Sequence, residues 1–315
     1  MVDKIINEPN MVEKLTIDQI FRLLNDINLM FQERKEFPLL KLNKDPKMET
    51  SIYFAGDTHG DLNTTNWIIK NILGHERKQN NKNTKLVFLG DYVDRSPEDV
   101  RLGGIKNLMY LLCVKMSYPD DLYLLRGNHE GYDLYKFAPY ELFHEINTIW
   151  GEAHSKEIHE LFSSIFSNLP LFIKTSNGIF ASHGGFPKNI EPQKITVNDH
   201  DDILDTLWGD PGNFSSFRGP ISTMTNFTKL DFLNFLDKIG CKIMVRGHSY
   251  ENMGYSLFND KLFTVFTSRR YSMRGAGGVL LVKTSLSKDI NSVQDIELYE
   301  ISNEKFNKRA IMRYD

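Results

Sequence analysis

The sequence predicts a mixed α/β fold in which helices flank a β-sandwich and polar side chains gather at the ends of its strands. Three patterns in the 315 residues support this prediction. Five short apolar runs, each stopped by Gly or by a polar pair, are typical of buried strands. A helical series precedes these runs, and further strand-like segments follow them. We find no linker in the sequence that would divide the chain into two domains.

The first predicted element is a helix that follows a loose leader at residues 1–14. Thr16 and Gln19 have the spacing of a capping box, in which each side chain accepts a hydrogen bond from the backbone of the other residue. Apolar residues then recur at helical spacing and predict one core-facing surface, formed by Ile17, Ile20, Phe21, Leu24, Ile27 and Phe31.

The five apolar runs are the predicted central strands. They cover residues 51–55, 85–89, 122–125, 178–182 and 242–245. Several of them are almost continuously apolar, which suits strands that are covered on both faces. Because open α/β sheets place their ligands at the carboxyl ends of strands, we expect the polar segments that follow the runs to form one site.

The remaining elements are predicted from composition and alternation. Residues 133–168 are rich in aromatic and helix-forming residues and predict two or more helices. Further strands are predicted at 262–267, 279–282 and 296–301. We therefore expect a single domain at 15–301 and a C-terminal tail at 302–315.

The composition argues against several functional classes. With 41% hydrophobic and 25% charged residues the chain is globular, and its net charge of -3 makes nucleic acid an unsuitable main partner. A membrane partner is not expected, since no run of about 20 apolar residues occurs, and the N-terminus lacks a signal-peptide core. Cys113 and Cys241 lie in apolar runs, so we expect reduced core thiols in the cytoplasm, with the nucleus as an alternative.

Six residues of metal-ligand type follow the five apolar runs. Mn²⁺, Fe²⁺ and Zn²⁺ accept carboxylate, imidazole and amide oxygen ligands together. Two such ions about 3.5–4 Å apart need a bridging carboxylate, and Asp91 lies in the middle of the series. The predicted ligands of one ion are Asp57, His59 and Asp91. Those of the other ion are Asp91, Asn128, His183 and His248.

Such a pair of ions lowers the pKa of a bridging water and clamps phosphoryl oxygens for an in-line displacement. The leaving alkoxide then needs a proton, and His129, which follows Asn128, is the predicted general acid. Asp94 is expected to hold the other ring nitrogen of His129. Arg95 and Arg218 are the predicted forked donors for the phosphate.

These segments resemble the phosphoprotein phosphatase family of serine/threonine phosphatases. That family is marked by GDxHG, GDxVDRG, GNHE, HGG and RGH or RAH, and four of these motifs occur here in order and nearly unchanged. Residues 168–170, 207–211 and 217–219 also resemble its segments. The resemblance covers residues 15–283.

The resemblance implies a metallophosphoesterase-type β-sandwich with flanking helices, a bimetal site at the strand ends and a single catalytic domain at 15–301. It implies one-step hydrolysis of phosphomonoesters by direct attack of a metal-bridging water. The implied partners are phosphorylated protein substrates and regulatory subunits. The implied ions are two divalent metals, Mn²⁺ in vitro and Fe or Zn natively. It also implies the ligand set above, with His129, Asp94, Arg95 and Arg218 in the same roles.

Two departures from the family pattern bear on substrate choice. Ser96 stands where the family has Gly, and the sequence TSRRYS at residues 267–272 replaces SAPNYC. Tyr271 keeps the aromatic position, whereas Arg269 and Arg270 stand where small or polar residues are usual. Since this loop overhangs the active site in the family, we expect Tyr271, Arg269 and Arg270 to contact substrate. The span between Asp210 and Arg218 is also shorter than in the family.

Two alternative functions are compatible with the same scaffold. One is a dinucleoside polyphosphate hydrolase, although such enzymes tend to have Asp where this chain has Glu130. The other is a non-catalytic phosphatase-like binding module, which the presence of every predicted ligand disfavours.

Overall fold

Two β-sheets pack face to face, and helices cover the outer face of each sheet, in a computed structural model that describes residues 1–76, 83–212 and 226–314. The α-helices of the described residues are α1 (Val2–Asn7), α2 (Ile17–Arg34), α3 (Leu62–Ile69), α4 (Gly103–Ser117), α5 (Leu142–Trp150), α6 (Glu152–Asn168), α7 (His200–Trp208) and α8 (Lys229–Ile239). The strands are β1 (Leu39–Leu42), β2 (Thr50–Ala55), β3 (Asn83–Phe88), β4 (Leu122–Leu124), β5 (Phe172–Thr175), β6 (Ile179–Ser182), β7 (Ile243–Arg246), β8 (Tyr255–Leu257), β9 (Leu262–Thr264), β10 (Leu280–Ser285), β11 (Glu297–Ser302), β12 (Lys305–Arg309) and β13 (Met312–Arg313). The predicted mixed α/β sandwich is confirmed.

The sheet topology places several strand ends at one level. In the six-stranded sheet, with order β12-β11-β10-β2-β3-β4, the strands β2, β3 and β4 are parallel. In the seven-stranded sheet, with order β1-β5-β6-β7-β9-β8-β13, the strands β6, β7 and β9 are parallel. A parallel bridge between Asp57 and Phe266 joins the two sheets beyond these ends. The segments that follow the five central strands therefore meet at one edge of the sandwich.

The alternation of side chains along β2 and β3 explains why these strands are apolar throughout. Ile52 and Phe54 face the apolar layer between the sheets, whereas Tyr53 and Ala55 face the helices. Helices α2 to α6 cover this outer face. Helices α7 and α8 cover the outer face of the other sheet, where Phe172 and Phe180 pack. Strands that bury both faces cannot alternate between polar and apolar residues.

The N-terminal residues correct one prediction. Residues 1–14 were expected to be a loose leader, but they form α1 and a 3₁₀ helix at Pro9–Lys14. The side chains of Ile5 and Val12 are fully buried in the core that contains α4. In addition, Glu13 forms ion pairs with Lys106 and Arg101 at 2.6 Å each. Apolar burial and these ion pairs hold the segment against the domain.

The C-terminal residues correct a second prediction. The expected tail at 302–315 contains β12, which pairs with β11, and β13, which pairs with β8. These strands extend both sheets at their edges. The capping box of Thr16 and Gln19 is present at the start of α2, and residues 133–168 contain two helices, as predicted.

Both cysteines, Cys113 and Cys241, are free and buried, as expected of core thiols. Among the described helices, none combines the length and the apolar character that crossing a membrane requires.

Candidate metal centre and substrate cleft

The six predicted metal ligands lie at the edge where the two sheets meet. Each follows the carboxyl end of a strand: Asp57 and His59 follow β2, Asp91 follows β3, Asn128 follows β4, His183 follows β6 and His248 follows β7. All six side chains are buried. The parallel register of the strands thus brings together residues that are far apart in the sequence.

Asp91 lies between two groups of imidazole nitrogens. Its Oδ2 atom is 3.7 Å from His59 Nε2 and 3.8 Å from His129 Nε2. Its Oδ1 atom is 3.4 Å from His183 Nε2. Potential ligand atoms of Asp91, His183 and His248 lie within 4.8 Å of one another, and the same holds for His59, Asp91 and His129. One carboxylate thereby faces both groups, as a bridging ligand must.

The remaining predicted ligands complete the two groups. Asp57 Oδ2 is 3.8 Å from His59 Nε2. Asn128 Oδ1 lies 2.9 Å from His183 Nε2 and 3.0 Å from His248 Nδ1. Amide oxygen, carboxylate and imidazole therefore converge on the same space.

The backbone at the site adopts a conformation that is rare for residues other than glycine. His59, Asp91, Asp94, Arg95 and His248 all have positive φ, between 43° and 70°. Such conformations cost of order 1–3 kcal/mol each and persist where the surrounding structure enforces them. Here the turns that follow the strands aim the side chains at one point.

Two glycines allow this close packing of backbone and carboxylates. A Cβ atom on Gly127 would lie 2.3 Å from Asp91 Oδ1, and one on Gly247 would lie 2.3 Å from Asp57 Oδ1. Both distances are shorter than any van der Waals contact. Only a residue without a side chain fits at these two positions.

Burial favours the neutral form of the ligand imidazoles. Desolvation lowers the pKa of His59 and His183 well below the usual value, and the positive charges of nearby arginines act in the same direction. The Nδ1 atom of His59 lies 3.1 Å from Val93 O, and that of His183 lies 3.0 Å from Leu89 O. These carbonyls accept from Nδ1–H, which leaves the Nε2 lone pairs directed into the site.

Burial raises the pKa of the carboxylates of the site. Desolvation raises the pKa of Asp57 to about 7, and desolvation together with the charges of Asp57 and Glu130 raises the pKa of Asp91. Within the described part of the chain, Asp57 Oδ2 accepts no hydrogen bond. Crowded, buried carboxylates beside neutral imidazoles are the donor set that a divalent cation stabilises. The residues of the site therefore fit metal ions.

His129 and Asp94 form a closely packed dyad. His129 Nδ1 lies 2.6 Å from Asp94 Oδ2, and the backbone N–H groups of Glu141 and Leu142 donate to Asp94 Oδ1. The Nε2 atom of His129 is buried and has no hydrogen-bond partner among the described residues. Asp94 thus orients the ring, and the other ring nitrogen lies 3.8 Å from Asp91 Oδ2.

Glu130 has a structural role that the sequence left open. Its carboxylate accepts hydrogen bonds from the backbone N–H groups of Asp91, Tyr92 and Gly127 at 2.8, 2.9 and 3.0 Å. It thereby ties the turn after β4 to the turn after β3. Arg246 has a comparable role, since it is fully buried and donates to Asp210 Oδ1 at 2.8 Å.

A cleft of about 550 Å³ opens beside Asp91, Asn128 and His248. Arg95, Arg270 and Tyr271, which the sequence predicts to contact substrate, line this cleft.

The other two arginines that the sequence predicts to contact substrate are Arg269 and Arg218. The Arg269 guanidinium faces Asp61 and Asp99, at 3.0 and 2.9 Å, and is not among the residues that line the cleft. Arg218 lies outside the described residues.

Several aromatic residues of the cleft were not predicted to contribute to it. Tyr135, Phe137 and Tyr250 line it, together with Trp208, which the sequence only associated with a family-like loop. Phe137 packs edge-on against His129, with ring centroids 4.6 Å apart. No local pattern marks Tyr135, Phe137 and Tyr250, because each lies in a loop whose path depends on tertiary packing.

The sequence profile of the calcineurin-like phosphoesterase family matches residues 50–252. The chain belongs to this family. This calcineurin-like phosphoesterase is 27% identical to the serine/threonine-protein phosphatase 4 catalytic subunit of Saccharomyces cerevisiae, over 94% of the chain and 92% of that protein. It is 30% identical to serine/threonine-protein phosphatase T of Trypanosoma brucei brucei, over 70% of the chain and 46% of that protein.

Two solved structures share the fold of this chain. A Saccharomyces cerevisiae protein serine/threonine phosphatase with similarity to human phosphatase PP5 matches with a TM-score of 0.67 at 21% identity, over 90% of this chain and 87% of that one. A cold-active protein-tyrosine phosphatase of Shewanella matches with a TM-score of 0.55 at 15% identity, over 86% and 83%. At these identities the likeness concerns the fold alone.

The predicted membership of the phosphoprotein phosphatase family is confirmed, and the chain is a phosphoprotein phosphatase. Membership of the calcineurin-like phosphoesterases implies divalent metal ions, and the grouped His and Asp side chains are suitable ligands for them.

Proposed function

We propose that the cleft removes phosphate from phosphoserine and phosphothreonine side chains with the help of two divalent ions. The observation that carries this proposal is the position of Asp91. Its two carboxylate oxygens face different imidazoles, His59 on one side and His183 on the other, at 3.7 and 3.4 Å. A single carboxylate between two ligand groups is what a phosphoryl-transfer site with two ions requires.

The proposed ligands keep the assignment made from the sequence. One ion is held by Asp57, His59 and Asp91, and the other by Asp91, Asn128, His183 and His248. Ions bound there would acidify a water molecule and neutralise the phosphoryl oxygens. We propose Mn²⁺ as the ion that supports activity in vitro and Fe or Zn as native ions, since all three accept this mixed ligand set.

The protein residues supply the remaining chemistry. His129 directs Nε2 towards the same space as Asp91 and would donate a proton to the leaving alkoxide. Asp94, at 2.6 Å from Nδ1, fixes the ring and stabilises the imidazolium form. Arg95 lines the cleft and would bind phosphoryl oxygens with its forked donors. Arg218 is proposed for the same role.

The proposed substrates are phosphorylated proteins, and the proposed partners include regulatory subunits. The second proposal is supported by the yeast relative, which is named as a catalytic subunit. We propose a cytoplasmic location, or another reducing compartment such as the nucleus, because Cys113 and Cys241 are buried free thiols.

A direct test compares two substrate classes in the presence of Mn²⁺. Phosphate release from phosphoserine and phosphothreonine peptides would be measured beside hydrolysis of a dinucleoside polyphosphate, each with and without a chelator. We expect metal-dependent release from the peptides with a kcat/KM well above that for the dinucleotide. A preference for the dinucleotide would favour the alternative hydrolase. Metal binding without turnover of either substrate would favour a binding module.

A further inference from the structure

The segment at residues 267–274 is fastened to two neighbouring loops by its arginines. The Arg269 backbone N–H and Nε donate to Asp61, at 2.9 and 3.0 Å. The terminal nitrogens of Arg269 form a forked pair with Asp99, at 2.9 and 3.2 Å. Asp61 is buried and begins α3, whereas Asp99 is exposed in the loop after β3. The charge of Arg269 is therefore matched by two carboxylates outside the cleft.

Arg270 has different surroundings. Its side chain is exposed and lines the cleft together with Arg95. One terminal nitrogen donates to the backbone carbonyl of Ser96 at 2.8 Å. Among the described residues, no carboxylate lies within ion-pair distance of Arg270. A guanidinium has five N–H donors, so most of its donors remain available to a ligand.

We propose that Arg270 is a specificity-determining residue that recognises a second anionic group next to the phosphate that is removed, and that Arg269 is a positioning residue for it. The proposal rests on the proposed function and names the class of substrate within it. The second anion is either an acidic side chain or a further phosphate of the substrate.

The chemistry supports this division of roles. Arg95 is proposed for the reacting phosphate, and Arg270 adds a second positive charge to the same cleft. Forked donors bind carboxylate and phosphate with two parallel hydrogen bonds. The pairs with Asp61 and Asp99 hold the preceding residue in place, which limits the positions that Arg270 can adopt.

The test uses three phosphoserine peptides of the same length with Mn²⁺. One is neutral around the phosphoserine, one carries Glu at the two flanking positions, and one carries a non-hydrolysable phosphonate there. Because the arginine is exposed, we expect a preference in kcat/KM of about fivefold for an anionic peptide over the neutral one. The peptide with the higher value identifies the source of the second anion.

Variants assign the preference to individual residues. Arg270→Ala should bring the ratio of anionic to neutral kcat/KM close to one. Arg274→Ala is the matched control, because Arg274 is an exposed arginine of the same segment that does not line the cleft, and it should keep the wild-type ratio. Added salt should reduce the ratio of anionic to neutral kcat/KM in the wild type, since the proposed ion pair between Arg270 and the peptide is exposed to solvent.

The positioning role of Arg269 has its own readout. Arg269→Gln and Asp99→Asn should each raise KM for the anionic peptide more than KM for the neutral one, with kcat little changed. The double variant should lose no more than Arg269→Gln alone, because the pair that Asp99→Asn removes is one of the two that Arg269→Gln removes. Additive losses in the double variant would overturn the positioning role.

Two results would overturn the main proposal. Equal kcat/KM for all three peptides in the wild type excludes recognition of a second anion while leaving the phosphatase function intact. A preference that survives Arg270→Ala excludes this residue as its source. Failure to hydrolyse any of the three peptides would overturn the proposed function and this inference together.

Discussion

At the scale of single residues, Asp91 is the residue on which the proposed site depends most. Its backbone has positive φ, and both carboxylate oxygens face imidazole nitrogens. We predict that Asp91→Asn lowers metal content and turnover together, because a carboxamide has one oxygen and no charge to share between two ions. Metal analysis and phosphate release from a phosphoserine peptide would measure both quantities.

A matched control is Asp201→Asn, which changes an exposed aspartate at the start of α7. It should retain the wild-type metal content and turnover. If Asp91→Asn binds two ions per chain with near-normal turnover, Asp91 is not the bridging ligand.

His129 is the second residue whose role can be separated by substitution. The structure groups it with His59 and Asp91, so its Nε2 atom could serve either as a metal ligand or as a proton donor. We predict that His129→Asn retains both ions and lowers kcat about 10²–10⁴-fold, which is the usual share of general acid catalysis. The loss should be smaller for aryl phosphates, whose leaving groups need less protonation.

Two outcomes would contradict this assignment. Loss of one ion from His129→Asn would make His129 a ligand. Equal losses of kcat for aryl and alkyl phosphates would leave it a structural residue.

The sequence predicted the residues that occur in motifs, and it missed those that depend on tertiary contacts. The six proposed ligands follow strands whose apolar character is visible in the sequence. The ion pairs of Arg269 with Asp61 and Asp99, in contrast, join segments about 170 to 208 positions apart. Nothing local marks Asp99 as a partner, because an exposed aspartate in a loop is common.

At the scale of elements, α1 shows why the loose leader was a wrong prediction. Apolar residues such as Val2, Ile5 and Ile6 occur in a stretch that also contains many polar residues and Pro9, so helical periodicity is hard to detect there. The helix is only six residues long, and its stability must come from packing against α4.

We predict that Ile5→Ala destabilises the protein by about 2 kcal/mol or more, because a fully buried side chain is removed and a cavity remains. Leu29→Ala is the control, since Leu29 is 54% exposed on α2, and it should change the free energy of unfolding by less than about 0.5 kcal/mol. Denaturant unfolding would measure both changes. Similar values for the two variants would mean that α1 does not contribute to the core.

Among the strands, the central ones could be predicted from the sequence more readily than those at the edges of the sheets. β2, β3 and β4 could be predicted because they are buried on both faces and end in conspicuous polar motifs. β12 and β13 lie at or near sheet edges and are largely polar, so their pairing depends on the neighbouring strands β11 and β8. Sequence patterns carry little information about strands that are held mainly by backbone hydrogen bonds.

At the scale of the whole molecule, the site links the two sheets. Asp57, His59, Asp91 and Asn128 come from the six-stranded sheet, whereas His183 and His248 come from the seven-stranded sheet. His248 N donates to Asp57 Oδ1 at 2.8 Å, and Thr267 N donates to Asp57 O at 3.0 Å across the same boundary. An ion held by Asp91, Asn128, His183 and His248 would therefore connect both halves of the sandwich.

This arrangement predicts that metal ions stabilise the fold as well as support turnover. Without ions, burial and mutual repulsion raise the pKa values of Asp57 and Asp91, which means that their charged forms are disfavoured in the folded state. A divalent cation removes this repulsion and binds the folded state preferentially. At a free concentration one hundred times Kd, an ion at one site would add about 2.7 kcal/mol to the free energy of unfolding.

We therefore expect the Tm of chelator-treated protein to rise on addition of Mn²⁺ and to level off as the sites fill. Calorimetry would follow Tm, and metal analysis would count the bound ions in parallel. The rise in Tm should be much smaller for Asp91→Asn. NaCl of equal ionic strength should not reproduce the rise, because it screens charges without supplying a divalent cation for the site. A wild-type Tm that stays constant while two ions bind would show that the ions do not bind the folded state preferentially, since such binding must raise the stability of that state.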